Sequence, residues 1–298
     1  MKYTINEKQF SYVFDYKENN ILRNSFNNLT RTVYGFDFEN WFQNGYWTEK
    51  YIPYSLFFED KVVANVSVNP IDFCLFGRKK KYVQIGTVMT APDFRNLGLS
   101  RLLMEQVMKT LSEQCDMMYL FANDSVLNFY PKFNFEAVNE YQNIKEIKYK
   151  NDKLAAKKVD MVQKNNQQLF ADKVNKAKDI SDLSMRDNMG LVMFYCTALM
   201  KNNIYYIAEY DAYVVAEFSD DTLYLQDYFC ETEITIDEII AKMSTNAIQK
   251  AVLGFTPKSK VDFEVKLLKE KDTTLFVSGK DAKQFQRNKI MFPILSHA

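Results

Sequence analysis

The order of strand and helix patterns along the chain predicts an α/β (α+β) fold. Residues 82–135 show a strand, a turn, an amphipathic helix, an apolar strand and a further turn. Residues 204–255 show several strands followed by a helix and a strand. A chain of 298 residues that is 47% hydrophobic can bury two ordinary cores more comfortably than one. We therefore predict two domains, 1–150 and 151–298.

The first strand of the earlier pattern leads through a short turn into a helix. Residues 82–90 are rich in β-branched side chains, which predicts a strand. Apolar residues then recur at helical spacing, at Leu99, Leu102, Leu103, Val107 and Leu111. The first N–H groups of a helix have no intrahelical acceptors, and the helix dipole adds partial positive charge there. The turn before this helix can therefore hold a pyrophosphate without a metal ion.

Three residues of the turn suit that role. Gly98 lets a phosphate approach the backbone, and Arg95 supplies a fork of charged donors. Ser100 is small and offers a hydroxyl. Taken alone, the triplet is equally typical of a surface arginine before a helix whose glycine packs closely, so the residues that follow must decide.

The next segment is an apolar strand followed by a polar and aromatic turn. Residues 117–122 are continuously apolar, as expected of a strand buried on both faces, and Asn123 follows at its end. Val126, Phe129 and Tyr130 then recur at helical spacing before a proline. Another strand is predicted after them.

Residues 82–135 resemble the core of the GNAT (N-acetyltransferase) superfamily. Its signature is an R/Q-x-x-G-x-G/A turn followed by N-x-x-A-x-x-F-Y-x-K-x-G-F. The chain has Arg95-Asn-Leu-Gly-Leu-Ser100 and Asn123-Asp-Ser-Val-Leu-Asn-Phe-Tyr-Pro-Lys-Phe-Asn-Phe135. Ser100 replaces the usual Gly or Ala, Val126 the usual Ala, and Asn134 the usual Gly. These replacements are small or compatible with a turn.

The resemblance implies a mixed central sheet flanked by helices, with one strand splayed from its neighbour. The pantetheine of acetyl-CoA would lie in the gap, and Tyr130 would match the tyrosine that protonates the departing thiolate. Backbone N–H groups near Met89 would stabilise the oxyanion. The implied coenzyme-binding residues are Val88, Met89, Thr90, Arg95, Asn96, Leu97, Gly98, Leu99, Ser100 and Asn123.

The residue that removes the proton of the acceptor amine stays open. Some members of the superfamily carry a glutamate base where this chain has Gln84, and an amide cannot take a proton. Asp37, Glu39 or a chain of water molecules past Gln84 are the candidates.

The second half is predicted to be a degenerate GNAT-like domain. Residues 57–64 and 207–216 share an apolar strand, an acidic turn and Val-Val-Ala. The second half has neither the phosphate-binding turn nor the F-Y-x-K motif, so we expect it to bind no coenzyme. The lysine-rich segment 144–181 is predicted to hold the last strand of the first domain and a linker, and residues 185–200 a buried helix.

Composition excludes several other kinds of site. The single histidine, His297, lies next to the C-terminus, which argues against a Ser-His-Asp triad and against a His-rich metal site. We therefore expect no bound metal. We also expect His297 to lie on the surface. The eight glycines are not spaced as a dinucleotide-binding or P-loop motif requires. A net charge of zero argues against nucleic-acid binding.

The expected location is the cytoplasm. The four cysteines form no C-x-x-C pair, and the chain shows neither a signal h-region nor a membrane span. An oligomer is compatible with these features.

The expected function is direct transfer of an acetyl group from acetyl-CoA to a primary amine on a small molecule or a peptide. The aromatic residues of segment 36–54, together with one or two acids, suggest a pocket for a cationic amine. Amphipathic core helices would explain the same pattern. The alternatives are a non-catalytic acyl-CoA-binding sensor, favoured by Gln84 and Asn134, and transfer of a bulkier acyl or aminoacyl group.

Overall fold

The computed structural model describes residues 1–148 and 151–297. Within this part of the chain the helices are α1 (Asn20–Tyr34), α2 (Glu39–Gln43), α3 (Leu99–Leu111), α4 (Lys164–Lys176), α5 (Met189–Phe194), α6 (Ile236–Met243) and α7 (Ala282–Arg287). The strands are β1 (Lys2–Ile5), β2 (Lys8–Phe14), β3 (Ile52–Phe58), β4 (Lys61–Leu75), β5 (Arg78–Thr90), β6 (Met117–Ala122), β7 (Glu136–Ala137), β8 (Tyr141–Glu146), β9 (Lys157–Lys158), β10 (Leu183–Arg186), β11 (Ile204–Ile207), β12 (Ala212–Ser219), β13 (Thr222–Phe229), β14 (Lys250–Leu253), β15 (Glu264–Leu267) and β16 (Thr274–Gly279).

The first sheet is mixed and is covered on both faces. Its order among the described residues is β1-β2-β3-β4-β5-β6-β16-β7, with β10 beside β4. The β5–β6 pair is parallel, and α3 makes the crossover between its strands. Because side chains alternate along a strand, Val62 faces the core that includes Phe26 of α1, whereas Val63 faces the core that includes Leu103 of α3. The predicted α/β fold is confirmed.

The second sheet repeats this succession of elements. Its order among the described residues is β15-β8-β14-β13-β12-β11-β9, and β13 and β14 are parallel with α6 between them. Helix α6 packs Ile239, Ile240 and Met243 in the core of this sheet. Residues 57–64 and 207–216, which share a sequence pattern, form the turns of two equivalent hairpins, β3–β4 and β11–β12.

The two sheets do not divide the chain at one point. Strand β8 pairs with β14 and β15 of the second sheet, so its prediction as the last strand of the first domain is wrong. Strands β10 and β16 of the later half belong to the first sheet. The division into 1–150 and 151–298 stays a prediction, and residue 150 lies outside the described residues.

Two other segments differ from the prediction. The expected linker contains α4, which buries Phe170 and Ala171 and is otherwise mostly polar. Residues 185–200 are not one helix, because β10 ends at Arg186 and α5 begins at Met189, followed by a π-helical turn. Gly190 allows this close packing, since an added Cβ would lie 2.4 Å from the carbonyl oxygen of Tyr46.

Candidate active site

A gap opens between β5 and β6 at the centre of the first sheet. The strands are paired from Tyr82 with Met117 to Gln84 with Tyr119, and both continue beyond that point without pairing with each other. This is the splayed arrangement that the resemblance implied. A cavity of about 750 Å³ lies at the gap, between the two strands and the aromatic residues of the N-terminal helices.

A bulge shapes β5 along the cavity. Asn65 of β4 is opposite Met89 and Ser67 is opposite Gly86, so β5 carries one extra residue between them. Thr87 has a φ of 49°, a left-handed conformation that a β-branched residue rarely adopts. The hydroxyl of Tyr34 donates to the carbonyl oxygen of Val88 at 2.8 Å. The bulge therefore has a fixed shape.

The predicted phosphate turn lies at the start of α3. Gly98, with a φ of 76°, is the N-cap residue, and the first helical hydrogen bond runs from Leu102 N–H to its carbonyl at 3.0 Å. Ser100 Oγ lies 2.6 Å from Thr90 Oγ1, which ties the helix to the end of β5. Arg95 is exposed and forms no ion pair with any described residue. The turn therefore has charged and neutral donors available for an anion.

Seven of the predicted site residues line one cavity. They are Val88, Met89, Thr90, Arg95, Ser100, Asn123 and Tyr130. Asn96, Leu97, Gly98 and Leu99 belong to the turn but not to the cavity lining. Leu99 is buried in the core beneath α3, so its side chain faces away from any phosphate. The structure thus brings the predicted residues together, and their roles stay predictions.

Tyr130 is buried among aromatic rings. Its ring centroid lies 5.2 Å from that of Phe129 and 5.7 Å from that of Phe276. Burial raises the pKa of Tyr130 above its usual value, so its phenol is protonated at neutral pH. Phe276 belongs to β16, a contribution that the sequence pattern did not indicate.

Asn123 and Asp272 both line the cavity. The Asn123 side chain accepts hydrogen bonds from the N–H of Ser125 at 3.2 Å and from its hydroxyl at 2.5 Å. Asp272 also lines the cavity and accepts from the N–H of Asp124 at 2.7 Å. Nothing in the sequence near Asp272 pointed to this position.

The opposite end of the cavity is aromatic and joins both halves of the chain. It is lined by Tyr34, Phe36, Phe38, Trp41, Tyr51, Leu191, Phe194, Tyr195 and Leu199. The rings of Phe38 and Phe194 stack with centroids 5.3 Å apart. The α5 region of the later half therefore closes this end.

The two acids expected near this end are bound by arginines and do not line the cavity. Asp37 forms an ion pair with Arg31. Glu39 accepts from Arg23 at 3.0 and 3.1 Å, and this hydrogen bonding lowers the pKa of Glu39. The structure therefore places neither candidate base in the lining of the cavity.

The Gln84 side chain binds the C-terminal segment and, as an amide, cannot accept a proton from the substrate. The carbonyl oxygen of Ser296 accepts from the Gln84 amide at 3.0 Å and from the Tyr119 hydroxyl at 3.0 Å. His297 stacks on Phe121 with centroids 4.0 Å apart, and burial lowers its pKa to about 4. The predicted surface position of His297 is wrong, because the C-terminal segment packs against the first sheet.

Comparison with known proteins agrees with this geometry. Residues 19–135 match the model of the acetyltransferase (GNAT) family. The chain carries a GNAT acetyltransferase domain. This domain makes the protein an acyltransferase. The comparison with curated proteins found no match.

Three solved structures show how far the fold similarity extends. A conserved Enterococcus faecalis V583 protein of unknown function, a probable N-acyltransferase, is 14% identical, with a TM-score of 0.60, and the match covers 93% of this chain and 74% of that chain. A GCN5-related N-acetyltransferase from Kribbella flavida is 16% identical, with a TM-score of 0.56, over 92% and 72% of the two chains. Eis1 from Mycobacterium abscessus is 12% identical, with a TM-score of 0.53, over 89% and 72%. At these identities the similarity concerns the fold, and it includes both sheets of this chain.

Residues 1–148 and 151–297 contain no group of three or more His, Cys, Asp or Glu side chains arranged to hold a metal ion. In the same part of the chain, no helix has the length and apolar character needed to cross a membrane.

Proposed function

We propose that this GNAT protein transfers the acetyl group of acetyl-CoA directly to a primary amine. The observation that carries the proposal is that the strand gap, the start of α3 and Tyr130 all border one cavity. An extended pantetheine requires an unpaired strand edge, and Val88–Thr90 provides one beside the gap. A pyrophosphate requires hydrogen-bond donors, and the turn from Arg95 to Ser100 provides them.

The chemistry follows from these residues. An alkyl ammonium has a pKa of about 10.4, so the acceptor must lose a proton before its nitrogen attacks the thioester carbonyl. The new N–C bond forms as the C–S bond breaks. Backbone N–H groups of β5 near Met89 would stabilise the negative charge on the carbonyl oxygen. Tyr130, which burial keeps protonated, would donate its proton to the departing thiolate.

The acceptor end of the cavity favours an amine carried on an apolar body. Phe36, Phe38 and Trp41 present aromatic rings there, and Leu191 and Phe194 complete the wall. Planar or aliphatic groups bury apolar area against such surfaces. Small aromatic amines and peptides with an apolar N-terminal residue belong to this class. The arginine-bound acids give no support to the cationic pocket suggested by the sequence.

An acetyl-CoA consumption assay over a panel of amines tests the proposal. The panel compares 2-phenylethylamine with ethylamine, and a peptide beginning with Phe with one beginning with Gly. We expect turnover with acetyl-CoA and higher kcat/KM for the aromatic member of each pair. Absence of turnover across the panel, with acetyl-CoA binding intact, would instead favour the coenzyme-binding sensor.

A further inference from the structure

We infer that Asn65 is a positioning residue for acyl transfer, because its side chain holds the bulge that presents Val88 and Met89 to the cavity. The inference rests on the proposed function, since it concerns the same strand. Asn65 itself is fully buried on β4 and does not line the cavity. Its effect on the reaction would therefore pass through the backbone of β5.

The bulge requires something to hold it. Thr87, at a φ of 49°, occupies a conformation that costs free energy for a β-branched side chain. Such a residue stays in place only where its surroundings fix it. The Thr87 side chain is bound by Tyr51, whose hydroxyl oxygen lies 2.7 Å from Thr87 Oγ1. The Thr87 backbone is bound by Asn65.

The direction of the Asn65 amide is set by its partners. Its Nδ2 donates to the carbonyl oxygen of Thr87 at 2.9 Å and to Ser67 Oγ at 2.9 Å. Its Oδ1 accepts from Ser55 Oγ at 2.8 Å. A carbonyl oxygen can only accept, so the NH₂ group must be the side that faces Thr87. Each polar atom of the Asn65 side chain is thereby used.

The network continues away from the cavity. Ser55 Oγ lies 2.5 Å from the hydroxyl oxygen of Tyr16, and both residues are buried. Buried polar networks whose groups are all satisfied are rigid. The bulge on β5 is therefore connected through Asn65 and Ser55 to Tyr16, which is packed in the core beside α1.

The hydrogen bond from Asn65 fixes the direction of the peptide group between Thr87 and Val88. The carbonyl of Thr87 and the N–H of Val88 belong to the same peptide unit, which is trans and planar, so they point in opposite directions. Holding the Thr87 carbonyl on Asn65 therefore points the Val88 N–H away from Asn65. Without this bond, the Thr87–Val88 peptide could rotate and the Val88 N–H would lose its alignment for the coenzyme carbonyl.

The test replaces Asn65 by Asp, which has nearly the same shape, keeps an oxygen that accepts from Ser55 and, when ionised, has no donor for Thr87. Because burial favours the protonated acid, whose O–H could still donate, kcat is measured as a pH profile. Removing one aligned donor from an oxyanion site typically costs about 10²- to 10³-fold in kcat, so we expect at least a tenfold loss from misalignment. The KM for the acceptor amine should stay within twofold, because the acceptor binds at the aromatic end. Tyr16→Phe is the matched control, since it breaks the same network far from Thr87.

The split between kcat and the KM for the amine separates positioning from general damage. Wild-type kcat in a folded Asn65→Asp variant, at a pH where the new carboxyl is ionised, would overturn the inference. An equal loss of kcat in Tyr16→Phe would also overturn it. If the wild-type protein acetylates no amine, the proposed function fails separately. Calorimetry with acetyl-CoA then decides, because a loss of affinity in Asn65→Asp but not in Tyr16→Phe still supports the role of Asn65.

Discussion

At the cavity, the phenol of Tyr130 is held by rings from three segments of the chain. Phe129 precedes it, Phe135 follows it, and Phe276 comes from β16. Burial raises its pKa, which prevents ionisation at neutral pH and leaves the hydroxyl as a proton donor. Such a group assists only once negative charge develops on the sulfur. Its effect should therefore appear in the chemical step and not in binding.

Tyr130→Phe keeps the packed ring and removes only the proton donor. General acid catalysis is worth ~10²- to 10⁴-fold, and because a thiolate leaves readily we expect a loss near 10²-fold or less in kcat and in kcat/KM. Acetyl-CoA affinity should hardly change. Tyr82→Phe is the control, because it removes another buried hydroxyl of the same sheet, one bound to Asp281 outside the cavity. Wild-type turnover in Tyr130→Phe, with chemistry limiting the rate, would make Tyr130 a packing residue.

Among single residues, those of the motif were predictable and those contributed by the later half were not. Arg95, Gly98 and Tyr130 lie on contiguous strands and turns whose order alone places them at one edge of a sheet. Asp272, just before β16, lines the same cavity, and Phe276 of β16 packs on Tyr130, although this strand carries no motif. Which sheet such a strand joins depends on tertiary packing, and periodicity along the sequence does not report it.

At the scale of elements, the start of α3 is the part most sensitive to backbone shape. Gly98 has a φ of 76°, and no described atom lies within 4 Å of the position that a Cβ would take. Gly98→Val should therefore be tolerated sterically, at a cost of ~1–2 kcal/mol in folding stability from the left-handed backbone. The new side chain would stand where the pyrophosphate approaches, so calorimetry should show loss of acetyl-CoA binding.

Gly77 offers the matched control for this change. It has a φ of 77° in the β4–β5 turn and equally open surroundings among the described atoms. Gly77→Val should cost similar stability and leave acetyl-CoA affinity unchanged. Unchanged affinity in a folded Gly98→Val variant would refute the assignment of the turn to the phosphates.

Elements with a strong apolar period were predicted from the sequence, and those without one were missed. Strand β6 and helix α3 begin where the apolar pattern begins. Helix α4 carries lysine, asparagine and glutamine on most of its surface, and this polar composition is why the sequence predicts a linker there. The sequence does not reveal the break between β10 and α5, because β10 has only four residues, too few for their alternation to separate the strand from the apolar helix pattern that follows.

At the scale of the whole molecule, the two halves differ at the point where coenzyme would bind. In the second sheet β13 and β14 stay together past their last pair, with Gly254 N–H donating to the Leu225 carbonyl at 2.8 Å. A Cβ on Gly254 would lie 2.8 Å from Gln226 Cα, so no gap opens there. The N-terminus of α6 is already capped by the carboxylate of Glu238, which accepts from Thr235 N–H at 2.8 Å.

We therefore predict one coenzyme per chain. A closed strand pair leaves no edge for pantetheine, and the carboxylate at the start of α6 repels a phosphate. Calorimetric titration of the full chain with acetyl-CoA should give a stoichiometry of one, and the single site should disappear in Gly98→Val. Two sites per chain would show that the second half binds coenzyme by a route other than the strand gap.

The C-terminal segment joins the halves through a buried carboxyl group. Glu140 accepts from the Phe292 N–H at 2.8 Å, and its Oε1 lies 3.9 Å from His297 Nε2. Burial raises the pKa of Glu140 from 4.5 to about 8, and the nearby Glu270 acts in the same direction. Burial lowers the pKa of His297 from 6.5 to about 4, so above pH 6.5 this ring is neutral in the folded chain and mostly neutral in the unfolded chain.

These pKa values give the folding stability a defined pH dependence. Between pH 4.5 and 8 the folded state holds a proton on Glu140 that the unfolded state releases, so the contribution of Glu140 falls as pH rises through this window. Glu140→Gln keeps the oxygen that accepts from Phe292 and cannot ionise. Between pH 6.5 and 8, where His297 stays neutral in the folded protein, denaturant unfolding should show wild-type stability declining relative to Glu140→Gln by ~1–2 kcal/mol. Parallel stability curves over that range would mean that Glu140 is ionised in the folded protein at neutral pH and is paired with a cationic His297.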